Sequence, residues 1–156
     1  MEAATLQARM TSPAFAVPDA FPALTALGKA FQATGLPLKT IELANIRASQ
    51  INGCGVCLAQ HPRIAKRHGE TDERIWSIAG WRDAPFFDDA ERAALALAEC
   101  VTRMSDRSDP VPDEVWEEAA RHYDEQQLGA LVLSIASVNL WNRLNVATRQ
   151  VAGVEW

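Results

Sequence analysis

The chain has 156 residues, enough for one well-buried core and too few for two ordinary domains. With 48% hydrophobic and 22% charged residues it has the composition of a soluble globular protein, and no apolar run approaches the length of a membrane span. A net charge of −5 without a Lys/Arg cluster excludes a general nucleic-acid binder, which needs a stripe of positive charge to neutralise phosphates.

Residues 1–18, with Thr11-Ser12-Pro13 and Val17-Pro18, lack periodicity and are expected to form an extended arm ahead of a single helical domain, 19–156. From about 19 to 34 the residues Phe21, Leu24, Leu27, Ala30 and Phe31 have helical spacing, stopped by Gly35 and Pro37. A second helix is predicted from about 38 to 51, broken by Asn52-Gly53, and a third from about Cys54 to His68-Gly69. Thr71-Asp72-Glu73 opens a short fourth helix through Ala79. After a loop containing Pro85, Asp88-Asp89-Ala90-Glu91 is a capping-box start for a fifth, 90 to about 104. A polar loop precedes the sixth helix, 113–123, and Asp124 to Gln127 open the last, about 125–148. Its stretch 128–141 is apolar almost all round, as in a central helix or an oligomer contact. With no strand-like alternation, the predicted fold class is all-α.

The third helix carries the chemistry. A helix advances about 100° per residue, so Cys54, Cys57 and His61 share one face. Cys54 follows the Asn52-Gly53 break and is expected in the first helical turn, where free amides and the helix dipole favour a thiolate. Residues three apart there have Cα atoms about 5 Å apart, within disulfide range. His61, one turn beyond Cys57, can take the Cys57 proton or hold its thiolate. No acid lies beside His61, but Glu42 on the preceding helix could reach it if the Asn52-Gly53 turn folds one helix back on the other. The pattern describes a redox or nucleophilic thiol site.

Two other readings compete with it. The cysteines could be small buried hydrophobes. They could also bind zinc with His61, the fourth ligand coming from Cys100, His68 or His122, although ligands on successive turns of one helix lie along a line rather than around a tetrahedron. His68 is expected to cap a helix end and Cys100 to sit in the core. Trp76, Trp81, Phe86 and Phe87 are expected to pack a core or a subunit contact, and Asn142 and Arg143 to make structural polar contacts. Three cysteines are too few for a disulfide scaffold, and Met1-Glu2-Ala3-Ala4 opens no signal-like apolar segment, so a reducing cytoplasm is the expected compartment.

Glu42, eleven intervening residues, then Cys54-x-x-Cys57-x-x-x-His61 resembles the signature of alkylhydroperoxidase D-like (AhpD-like) proteins within the carboxymuconolactone decarboxylase superfamily. Phe87-Asp88-Asp89-Ala90-Glu91-Arg92 and the residues after it resemble that family's next helix, and Trp141-Asn142-Arg143-Leu144-Asn145 its C-terminal helix, so the resemblance spans roughly 38–147. It implies an all-helical protein assembling into trimers or hexamers, and a thiol-dependent peroxidase or disulfide reductase acting on small hydroperoxides. In that reading Cys57 attacks peroxide, Cys54 resolves it, and Glu42 and His61 relay the proton. A lipoyl-type or thioredoxin-type dithiol recycles the pair by attacking the more exposed sulfur, expected to be Cys54. No metal, other cofactor, nucleic acid or membrane is implied. Val56 departs from the His or Tyr of the family motif and removes a second local proton donor. The wider superfamily offers decarboxylase or lactone-processing chemistry, which needs no thiol pair, and a non-enzymatic redox-sensing or zinc-binding module is the remaining alternative.

Overall fold

The computed structural model describes residues 5–153, which hold eight α-helices, one short 3₁₀ turn and no strand. They are α1 (Pro13–Ala16), α2 (Ala20–Gln32), α3 (Leu38–Asn52), α4 (Gly55–Arg67), α5 (Asp72–Ser77), α6 (Asp89–Thr102), α7 (Asp113–His122) and α8 (Glu125–Ala147), with the 3₁₀ turn at Ile78–Gly80. The segment expected as an extended arm contains the single turn α1, opened by Pro13 at its first position, with Ser12 and Ala14 buried. It is tied to the far end of the chain: Arg9 N donates to Thr148 O at 2.9 Å, and Gln150 Nε2 to Met10 O at 2.9 Å.

The central element is α3. It packs against α4, α6 and α8, and every residue from Thr40 to Ile46 is buried, polar ones included. A helix covered on all sides has no need of a clean apolar stripe, which explains why its sequence is only partly apolar. Ile41 and Ala44 meet Leu97 of α6 and Leu131 and Ile135 of α8 in one core cluster. Leu43 and Ile46 meet Ile75, Ile78, Trp81 and Leu95 in a second. Trp81 and Phe87 are thus core residues as expected, whereas Trp76 is 77% exposed. Ile135 is fully buried, and Ile135→Ala is expected to cost about 2–5 kcal/mol, read as a lowered urea midpoint with unchanged slope.

The predicted capping box forms at the start of α6, and the residues expected to open α8 form a second. Asp88 accepts from Glu91 N and Glu91 returns a bond to Asp88 N, and Asp124 and Gln127 do the same for α8. No helix among the described residues is long and apolar enough to cross a membrane.

Candidate functional site

The turn between α3 and α4 builds the site. Gly53 adopts φ 65°, a left-handed conformation that glycine enters without steric cost, and the chain reverses so that α4 lies along α3. Cys54 is the N-cap of α4 rather than a residue of its first turn: its backbone is extended and its Sγ accepts from Cys57 N at 3.3 Å. Cys54 and Cys57 are joined as a disulfide, with Cα atoms 5.4 Å apart. Across the reversal, His61 Nδ1 and Glu42 Oε2 stand 2.7 Å apart, both side chains largely buried. With Nδ1 committed to the carboxylate, Nε2 is the ring nitrogen left for proton traffic. Further along α4, Pro62 brings no amide to the Leu58 carbonyl, which loosens the helix just after His61.

A cavity of about 500 Å³ opens beside this pair. Cys57, His61, Glu42 and Asn145 line its polar end, and Phe21, Leu24 and Trp141 belong to its apolar walls. Phe21 stacks on Phe15 at 4.7 Å and meets Trp141 edge-on at 6.4 Å, so α1, α2 and α8 together build the aromatic wall. Val56 also lines the cavity and adds an apolar side chain beside Cys57.

One expectation is overturned here. Cys54 is fully buried and does not line the cavity, whereas Cys57 does. Cys57 is itself only 2% exposed, but it is the one of the two sulfurs that an incoming thiol meets at the cavity wall. The N-cap position is the cause, because it turns the Cys54 side chain back over the first turn of α4.

The structure also brings α8 to the sulfurs, which sequence reading missed. Asn142 Nδ2 lies 3.0 Å from Cys57 Sγ and 3.1 Å from Ser49 Oγ. Asn145 Nδ2 lies 3.5 Å from Cys57 Sγ and 3.8 Å from Cys54 Sγ. Asn139, Asn142 and Asn145 recur at spacing three on the buried face of α8, after Ser134 and Ser137, and that polar stripe was the available signal. The remaining candidates lie elsewhere. His68 caps α4, and Cys100 is buried in α6 with its thiol pushed up by burial, hence protonated and inert. Among the described residues no group of three His, Cys, Asp or Glu side chains is placed to hold a metal ion.

The signature of the Carboxymuconolactone decarboxylase family matches residues 18–99. The chain is 42% identical over 108 residues to the uncharacterized protein YdfG of Bacillus subtilis (strain 168), a match covering 69% of this chain and 72% of that one. Among solved structures it resembles a protein of unknown function from Agrobacterium tumefaciens, suggested to be the antioxidant defence protein AhpD. That match has a TM-score of 0.87 and 32% identity, covering 96% of this chain and 100% of the other. It also resembles the debrominase Bmp8, solved with 2,3,4-tribromopyrrole, at a TM-score of 0.76 and 25% identity over 90% of this chain and 73% of the other. The chain belongs to the carboxymuconolactone decarboxylase family, with an AhpD-like all-helical fold.

Proposed function

We propose that the protein is a thiol-dependent alkylhydroperoxidase recycled by an external dithiol. The observation supporting this reading is the Cys54–Cys57 pair, whose Cys57 faces the same cavity as the Glu42–His61 pair. In the reduced enzyme the Cys57 thiolate attacks the terminal peroxide oxygen and the O–O bond breaks. The leaving alkoxide takes a proton from His61, held in place by Glu42. Cys57 is left as a sulfenic acid, and Cys54 displaces its oxygen as water to close the disulfide. A lipoyl- or thioredoxin-type dithiol enters through the cavity, attacks Cys57 Sγ, and its second thiol completes the two-electron reduction. A cytoplasmic location fits a pair that must be kept reducible. Leu133 and Leu140, seven residues apart on the outer face of α8 and exposed in the single chain, are the contacts we assign to a trimer or hexamer.

Mass spectrometry of the reduced protein before and after stoichiometric cumene hydroperoxide tests this reading. A rapid Cys54–Cys57 disulfide, reversed by dithiol, is expected, and thiols that stay reduced in folded protein overturn it. The relay makes a second prediction. His61→Ala and Glu42→Gln should each lower the peroxidase rate by on the order of tenfold to a hundredfold. If Glu42 acts through His61, adding Glu42→Gln to His61→Ala changes little, and additive losses in the double-mutant cycle reject the pairing.

A further inference from the structure

The buried amides between α3 and α8 form a continuous chain with a defined direction. Asn139 Nδ2 donates to Ile135 O at 2.9 Å, and that carbonyl can only accept. Its Oδ1 accepts from Arg143 Nη1 at 3.2 Å, and a guanidinium can only donate. Asn139 therefore presents oxygen to Asn52, so Asn52 must answer with Nδ2, at 2.9 Å. The same Nδ2 reaches Asn142 at 2.9 Å, and Asn142 must present Oδ1 to it. The remaining face of Asn142 is its Nδ2, which lies against Cys57 Sγ. Each amide could be reversed if it stood alone. Together they cannot, because Asn139 is held between a carbonyl that only accepts and a guanidinium that only donates, and each amide then sets the next.

We propose that Asn142 is the group that stabilises the Cys57 thiolate, with Asn52, Asn139 and Arg143 as positioning residues that fix and polarise its N–H. A disulfide sulfur accepts hydrogen bonds weakly, and a thiolate accepts them strongly. The contact therefore favours the reduced, ionised form over both the thiol and the disulfide. Its setting reinforces this: Asn142 is 1% exposed and its second amide hydrogen is taken by Ser49, so the donor aimed at the sulfur is held within the protein and away from solvent. The charged groups around the site are Glu42 from α3, His61 from α4 and Lys29 from α2, all lining the cavity, with Arg143 of α8 acting only through the amides. Asn145 is second to Asn142, since its amide is longer to sulfur and its Oδ1 has no hydrogen-bond partner among the described residues.

The inference rests on Cys57 being the reactive thiol but not on peroxide being its substrate, and its test uses no peroxide. The pH dependence of iodoacetamide alkylation would be measured on reduced wild type, Asn142→Leu and Asn142→Asp. Glutathione buffers would give the dithiol–disulfide equilibrium of wild type and Asn142→Leu. Asn142→Asp keeps the shape and the Asn52 bond, and the Ser49 hydroxyl can turn to donate to it, which keeps the test open if the leucine variant does not fold. We expect the alkylation midpoint of Cys57 to rise by about one unit in Asn142→Leu and further in Asn142→Asp. We also expect the leucine variant to shift about tenfold toward disulfide, equivalent to about 30 mV. Arg143→Leu should move the midpoint in the same direction by less. Wild-type midpoints in folded Asn142 variants overturn the proposal. Shifted midpoints in a protein that ignores peroxide uphold it and dismiss the peroxidase reading instead.

Discussion

Cys57→Ser is expected to lower peroxide consumption by on the order of a thousandfold or more, whereas Cys54→Ser, with no dithiol present, should react with one equivalent and hold Cys57 as a sulfenic acid. The asymmetry follows from where the two sulfurs sit. Cys57 faces the cavity, beneath Asn142 and beside the Glu42–His61 pair. Cys54 is sealed at the N-cap and touches Cys57 rather than the cavity. A serine at 57 leaves the cavity intact but offers a hydroxyl that is not ionised near neutral pH. With serine at 54, Cys57 can still be oxidised to a sulfenic acid, but nothing within the protein can displace its oxygen. Dimedone should then label Cys57 stoichiometrically, and excess peroxide should carry it on to sulfinic acid. Wild-type turnover by Cys57→Ser, or a peroxide-treated Cys54→Ser whose Cys57 dimedone leaves unlabelled, would reverse the assigned roles.

The helices were legible because their signals are local. Gly53 after Asn52, Asp88 with Glu91, and Asp124 with Gln127 each state a boundary within four residues, and the structure uses all of them. The Glu42–His61 contact was legible for a related reason: once Gly53 reverses the chain, only two adjacent helices need to be placed. The amide chain was not, since Asn139 and Asn142 are 87 and 90 residues from Asn52 and no local rule brings them together. The aromatic wall was also hidden. Phe15 lies in the segment read as an arm, and its stacking on Phe21 appears only when α1 folds over α2. The sulfur at the cavity was misjudged because helical phase alone does not tell an N-cap side chain from one in the first turn.

Glu99 escaped sequence reading for the same reason, and its charge is expected to carry a large stability effect. This carboxylate of α6 accepts from Arg47 Nε at 2.8 Å and Trp81 Nε1 at 2.9 Å, and pairs with Arg82 at 2.8 Å. It thereby joins α3, α6 and the loop after the 3₁₀ turn. Burial by itself would raise its pKa, but the hydrogen bonds from Arg82, Trp81 and Arg47 prevail and hold it at about 2, against an ordinary 4.5. A carboxylate with a depressed folded pKa stabilises the fold fully above its unfolded pKa. That contribution fades as pH falls from about 4.5 toward about 2. The shift corresponds to at most about 3 kcal/mol, and less after allowing for screening of the largely exposed Arg82. Glu99→Gln keeps an acceptor for Trp81 but leaves the largely buried Arg47 without its counter-charge. We expect it to lose about 2–3 kcal/mol at neutral pH. The difference from wild type should shrink steadily in urea titrations taken toward about pH 3, because the unfolded wild-type chain takes up a proton at Glu99 that the folded protein still resists. Because Arg47 lies on α3 between Glu42 and Gly53, the loss should also loosen the helix that holds Glu42. A stability difference independent of pH would mean that Glu99 serves through packing and not through its charge.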